Sequence, residues 1–133
     1  MTMVTKPAST IDEGIKNMMA AAKEDYKVWS TNYDGSLSDY TKSQLENWDA
    51  NTKITYGKKY IKIVKDNGVF CFVMKEDEGR FKKGDVLKSA GFNKPALNSP
   101  RGNVLNGNYP IRWTGPYYLK GLNWKIKSSS QKF

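Results

Sequence analysis

The sequence predicts one small α+β domain, in which a long helix and a shorter one pack on a small, twisted antiparallel β-sheet or partly open barrel. The chain has 133 residues, which is enough for a single hydrophobic core. Its apolar residues recur at steps of three and four near the start and at every second position from Lys59 onward. This change of period separates a helical segment from a β segment.

The helical segment is expected over residues 9–52, after a flexible arm at residues 1–8. Thr10 and Glu13 have the spacing of a capping box, in which each end of the first turn satisfies the other's free backbone N–H. One apolar helix face then follows at Ile11, Ile15, Met18, Ala22, Tyr26 and Trp29.

A second, shorter helix is predicted from Ser38 or Asp39 to about Asn51, with Ser38 as its N-cap. Its apolar face is thin. The side chains that we expect to turn toward the core are Tyr40, Leu45 and Trp48.

Residues 53–127 are expected to be rich in strands and to end in a polar tail at residues 128–133. Asn67-Gly68 lies between two apolar runs, a strong hairpin signal because both residues tolerate positive φ. With these two residues as the loop, the pairs are Lys65 with Phe70, Ile63 with Phe72, and Ile61 with Met74. Cys71, the single cysteine, is expected to be a buried strand thiol.

The rest of the β segment is less regular. Residues 80–87 are expected to form a turn that leads into a short strand, and further short strands are expected at residues 111–113, 117–119 and 122–126. Residues 89–110 are rich in Gly, Pro and Asn and show no period, which is typical of a long functional loop.

The net charge of +9 is unevenly distributed along the chain. Residues 1–52 carry five Lys against eight Asp and Glu, whereas residues 53–133 carry 17 Lys and Arg against five Asp and Glu. An acidic helical part and a basic β part favour an anionic partner for the latter. The alternative is that these lysines only keep the surface hydrated.

Several kinds of chemistry are excluded by composition. The chain has no histidine and one cysteine, which removes zinc sites and the Ser-His and Cys-His nucleophilic systems. Residues 34–39 carry alternating oxygens but lack the central glycine and closing glutamate of a calcium loop. We therefore expect a binding protein rather than an enzyme, with no catalytic residue, no metal and no cofactor.

The candidate site for an anion or a nucleic acid combines basic side chains with aromatic surfaces and a glycine that admits close approach. Arginine presents a planar fork to phosphate, and aromatic rings stack on bases. The predicted residues are Lys62, Lys82, Lys83, Lys94, Arg101, Gly102, Arg112, Trp113, Tyr117 and Lys120. In the alternative interpretation, Arg101 bonds carbonyls of its own loop and the aromatic residues belong to the core.

Six motifs resemble a family of short uncharacterised proteins of tailed bacteriophages, including marine ones, over about residues 57–115. They are KYIKIV at 59–64, FVMK at 72–75, FKKGDVLK at 81–88, PALN at 95–98, RGNV at 101–104 and WTG at 113–115. The resemblance implies a phage-infected bacterial cell as the origin and implies no activity.

Three functions follow as expectations. The favoured one is a small phage-type protein that binds an anionic partner, DNA or RNA first. The second is a virion or assembly component, whose partner is itself or another phage protein. The third is a nucleotide-binding counter-defence protein with a pocket of Arg101, Arg112 and an aromatic residue. No apolar run is long enough to span a bilayer, so we expect no membrane partner and a location in the host cytoplasm or the virion.

Overall fold

The computed structural model describes residues 2–118 and has the expected α+β architecture. Within this part of the chain, two helices accompany three antiparallel sheets, and the sheets do not close into a barrel. The elements are β1 (Thr2–Val4), α1 (Ile11–Ser30), α2 (Asp39–Glu46), β2 (Thr52–Tyr56), β3 (Tyr60–Lys65), β4 (Gly68–Met74), β5 (Val86–Leu87), β6 (Ser89–Gly91), β7 (Lys94–Pro95) and β8 (Tyr109–Ile111).

The largest sheet has the strand order β2-β3-β4-β5, and the pairs β1-β8 and β6-β7 form two small sheets. β2 was not anticipated as a strand. The strand predicted at 122–126 and the tail at 128–133 lie outside the described residues, and the strand predicted at 117–119 lies partly outside them. Among residues 2–118, no helix is both long and apolar enough to cross a bilayer.

The predicted flexible arm is wrong for its first residues, because residues 2–4 form β1. Val4 pairs with Tyr109 of β8 and is buried, and the Thr2 hydroxyl donates to the Asp25 carboxylate of α1 at 2.8 Å. Backbone pairing and an apolar side chain in the core hold this segment against α1.

The capping prediction for α1 is confirmed, with one change of partner. The Glu13 amide donates to Thr10 Oγ1 at 3.1 Å, but the Glu13 carboxylate accepts from the amide of Ser9 rather than of Thr10. The predicted apolar face is also confirmed at its centre, where Ile15, Met18, Ala22 and Tyr26 are buried.

α2 begins as predicted but ends earlier, at Glu46, and the expectation for Tyr40 is wrong. Ser38 caps the helix and accepts from the Thr41 amide at 3.1 Å. Tyr40 is 71% exposed because Thr41, not Tyr40, shares a helix face with Leu45 and Trp48 at steps of four and three. Thr41 and Trp48 are buried, while Leu45 packs at the edge of the core.

The β3-β4 hairpin forms in a different register from the predicted one. Its loop is Asp66-Asn67, with Asp66 at φ 58°, so Lys65 pairs with Gly68. A β-bulge then leaves Phe70 without an opposite residue, and Ile63 pairs with Cys71. Relative to the predicted register, the pairing of β3 with β4 is shifted, and the three predicted residue pairs are wrong. A shift of one residue also turns each side chain of a strand to the opposite face of the sheet.

The bulge decides which side chains enter the main core. This core, shared with α1, receives Ile61, Ile63, Phe70, Cys71 and Val73. A second cluster on the other side of the sheet contains Phe72, Met74 and Leu87. Cys71 is fully buried, as predicted, and burial raises the pKa of its thiol.

Residues 89–110 are more structured than the predicted loop. They contain the β6-β7 hairpin and the start of β8, and Val104 is fully buried under α1. The backbone around Val104 packs closely against α1 at Gly14. A Cβ added to Gly14 would lie 2.4 Å from the Val104 carbonyl oxygen. A glycine in the first turns of α1 therefore admits the backbone of this segment.

We expect Gly14→Ala to destabilise the protein although alanine is the better helix former. Helix propensity alone would stabilise by about 1 kcal/mol. The forced displacement of the Val104 backbone is expected to cost about 1–3 kcal/mol more than that gain. Urea unfolding measures the difference.

Gly91→Ala is the matched control, because a Cβ at Gly91 meets nothing within 4 Å. It is expected to leave the free energy of unfolding nearly unchanged. A Gly14→Ala variant as stable as the natural protein would contradict the close approach.

Candidate anion-binding site

Arg101 is one of three buried polar or charged side chains among residues 2–118, and only 4% of it is exposed. Its guanidinium donates to the Ser99 carbonyl at 3.1 Å, the Tyr117 carbonyl at 3.0 Å and Asn98 Oδ1 at 3.0 Å. Burial lowers the pKa of Arg101. These contacts match the alternative interpretation from the sequence, in which Arg101 anchors its own loop.

Gly102 also has a packing role. An added Cβ would lie 2.3 Å from Cγ of the buried Tyr109 ring, and the Gly102 carbonyl accepts from the Val86 amide at 2.8 Å. The Arg101 amide in turn donates to the Val86 carbonyl at 2.8 Å. Residues 101–102 therefore cover the outer edge of β5, and Gly102 lets them lie against Tyr109.

Lys88, Arg112, Tyr117 and Tyr118 lie together in what we call the basic–aromatic cluster. Lys88 Nζ lies 4.2 Å from the centre of the Tyr118 ring, and Arg112 Cζ lies 4.7 Å and 5.3 Å from the Tyr117 and Tyr118 ring centres. Both basic side chains also donate to the Pro116 carbonyl, at 3.4 Å from Lys88 and 3.2 Å from Arg112. The turn at residues 112–116 therefore places the Lys88 and Arg112 side chains next to the Tyr117 and Tyr118 rings.

The positive charge of the cluster is not neutralised within the described residues. The pKa of Lys88 is lowered by burial and then by the charges of Arg112 and Arg101. The ion pairs found among residues 2–118, Lys59–Glu78 and Lys65–Asp66, do not involve the cluster. Arg112 Nε is buried and has no hydrogen-bond partner in this part of the chain. An anion at this position would relieve the repulsion between the three cations.

An open groove of about 470 Å³ adjoins the cluster and shares Arg112 and Tyr117 with it. Trp29 is 68% exposed, and its ring centre lies 5.0 Å from that of Trp113. The lining consists of Asp25, Val28, Trp29, Arg112, Trp113, Thr114 and Tyr117. We call this feature the aromatic groove.

Asp25, the acidic residue that lines the aromatic groove, already accepts hydrogen bonds with both carboxylate oxygens. One oxygen of Asp25 accepts from the Trp113 amide at 2.9 Å, and the other accepts from the Thr2 hydroxyl. Burial and the charge of Asp25 raise the pKa of Tyr117, and Arg112 opposes them. The hydrogen bonds from Trp113 and Thr2 fix residues 112–114 and β1 against the last turns of α1.

The remaining predicted lysines do not join the cluster. Lys62 Nζ donates to the Phe92 carbonyl at 3.1 Å and to Asn93 Oδ1 at 2.7 Å, which fastens the β6-β7 hairpin to β3. Lys82, Lys83 and Lys94 are exposed, and their ammonium groups have no partner among the described residues. Lys120 lies outside the described residues.

Arg112, Trp113 and Tyr117 are among the residues predicted from the sequence, whereas Lys88 is not, and Trp29 was assigned only to the apolar face of α1. Lys88 follows the short strand β5, and nothing in its neighbours distinguishes it from a surface lysine. Within residues 2–118, no group of His, Cys, Asp or Glu is arranged to hold a metal ion.

Comparisons of the chain with protein-family models, curated proteins and solved structures give no match. The resemblance to tailed-bacteriophage proteins therefore stays a prediction from the motifs. The function must be argued from the site itself.

We expect Arg101→Met to destabilise the protein by about 1–3 kcal/mol, because the half-buried carbonyls of Ser99 and Tyr117 lose a charged donor. Arg80→Met is the matched control. Arg80 is exposed and donates to the Leu97 and Asn98 carbonyls of the same loop. Its loss is expected to cost less than about 1 kcal/mol, because water can replace an exposed donor.

Urea unfolding of both variants checks this expectation. Equal costs for the two arginines would contradict the anchoring role of Arg101.

Proposed function

We propose that this protein binds an anionic partner, with single-stranded nucleic acid as the favoured ligand, and that it is not an enzyme. The observation that carries the proposal is the basic–aromatic cluster. Lys88 and Arg112 lie beside two tyrosine rings, and no described carboxylate pairs with either of them. Cations and exposed rings together are the groups that bind a nucleic-acid strand.

The two parts of the site suit the two parts of a nucleotide. A phosphate beside Lys88 and Arg112 would accept from the accessible donors of both side chains. A base in the aromatic groove would stack on the exposed face of Trp29 or on Tyr117. Paired bases are stacked inside a duplex, so this arrangement favours single strands.

The distribution of charge supports the same partner. Lys82, Lys83 and Lys94 are exposed and unpaired within the described residues, so they add to the positive field without a geometric role. A field of this kind attracts a polyanion over a distance of about 10 Å in ordinary salt.

A free nucleotide is the second candidate, because the groove has a volume of about 470 Å³, within the range of small-molecule sites. Its pocket would contain Arg112 and an aromatic residue, which are two of the three groups in the third expectation from the sequence. Arg101 would not contribute, since its donors bond Asn98, Ser99 and Tyr117.

We expect an oligo(dT) of about 12 nucleotides to bind with an affinity that falls steeply with salt, since lysine and arginine release counterions from phosphates. Lys88→Gln and Arg112→Gln are each expected to reduce the slope of log affinity against log salt by about one. Trp29→Ala is expected to weaken binding at every salt concentration, because a stacking surface is lost. Fluorescence anisotropy measures all three effects.

Lys42→Gln is the matched control, since it removes one exposed positive charge from α2, in the acidic part of the chain. Its slope should equal that of the natural protein. Equal slopes for all charge variants, with unchanged melting temperatures, would contradict the proposed site. A mononucleotide that binds as tightly as the oligonucleotide would favour the second candidate.

A further inference from the structure

We propose that the outer edge of β2 is a docking site for an extended segment of a partner protein that alternates acidic and apolar residues and adds to the sheet as a further strand. This inference concerns a surface separate from the basic–aromatic cluster, and it does not depend on nucleic-acid binding.

The hydrogen bonds around β2 show which backbone groups point outward. The Gly57 amide donates to the Tyr60 carbonyl at 2.9 Å, and the Asp66 amide donates to the Asn51 carbonyl at 2.8 Å. In an antiparallel ladder the bonded residues alternate, so residues 51, 53, 55 and 57 face β3. The backbone groups of Ile54 and Tyr56 therefore face away from the sheet.

These outward groups are unpaired within the described part of the chain. Among residues 2–118, no backbone partner other than β3 is found for Ile54 or Tyr56. The opposite edge of the same sheet differs, because residues 101–102 bond both backbone groups of Val86 in β5. Two free amides and two free carbonyls in one row are a template for an added strand.

An apolar groove of about 430 Å³ lies directly beside this edge, between β2 and α1. Ile54 is 39% exposed and lies in the groove with Ile15, Met19 and Ala20 of α1. Side chains of an added strand that stand opposite Ile54 would point to the same face as Ile54. Every second residue of the partner would thus enter an apolar groove.

The charges around the edge specify the other residues of the partner. On the α1 side the charges balance, because Lys16 and Lys23 face Asp49 and Asp12, and Asp12 accepts from the Tyr56 hydroxyl at 2.8 Å. Lys53 is exposed and stands on the opposite face of β2 from Ile54. An acidic residue next to Lys53 on the added strand would form a favourable cross-strand pair.

The same charges disfavour the two other occupants. A second copy that added its own β2 would bring another Lys53 and no acidic residue to the edge. The residues of this chain beyond Tyr118 are also basic, with four lysines and no acidic residue. A strand with an acidic residue opposite Lys53 gains a favourable pair that neither alternative provides.

Binding of a fluorescent peptide of about seven residues that alternates glutamate with valine tests the proposal on the full-length protein. We expect saturable binding, and at least a tenfold weaker signal for the peptide with lysine in place of glutamate. Ile54→Ala, which removes only the side chain, is expected to weaken binding about threefold.

Ile54→Pro also removes the outward N–H and leaves the bonds from β2 to β3 in place. We expect it to weaken binding by about a further fivefold relative to Ile54→Ala, which is the effect of one lost hydrogen bond. Equal affinities of the two variants, at equal melting temperatures, would overturn strand addition. Absence of binding by the natural protein would overturn the proposal as well.

Two further measurements separate the other occupants. A dimer in sedimentation that Ile54→Pro dissociates would assign the edge to a second copy and overturn the proposed partner. Amides of Ile54 and Tyr56 that are protected from hydrogen exchange in the free monomer would show that the chain covers its own edge, with the same consequence. Rapid exchange of both amides in a monomer is the expected result.

Discussion

The buried guanidinium of Arg101 joins two irregular segments of the chain, residues 98–102 and residues 112–117. It bonds Asn98 and Ser99 on one side and the Tyr117 carbonyl on the other, while its own backbone covers the edge of β5 through Val86. The turn that presents Arg112 and Tyr117 is thereby fixed to the sheet. A side chain that looks like a ligand-binding arginine in the sequence instead supports the residues that are free to bind.

The sequence predicted the elements well where one local rule decides them. The cap of α1 at Thr10 and the burial of Cys71 depend on spacing and composition. The register of the β3-β4 hairpin cannot be predicted from spacing and composition. The apolar residues of β4 are continuous, so either face of the strand could be buried. The bulge lets Phe70 and its neighbour Cys71 both enter the core shared with α1, a tertiary arrangement that spacing along the chain does not reveal.

The types of residue in the candidate site could be predicted from the sequence, but only some of the positions could. Arg112 and Tyr117 were named because basic and aromatic residues are close in sequence. Lys88 joins them from 24 residues away, through contacts with Pro116 and Tyr118 that only the folded chain provides. The role of Arg101 depends on which carbonyls surround it, and carbonyl positions have no signature in the residue types.

The central claim is that the basic–aromatic cluster and the aromatic groove receive a single nucleic-acid strand. The most direct measurement is a map of backbone amide shifts in the NMR spectrum of the full-length protein as oligo(dT) is added. The account predicts that the largest shifts occur at Trp29, at Lys88 and across residues 112–118. Shifts confined to Lys82, Lys83 and Lys94, with residues 112–118 unchanged, would contradict it.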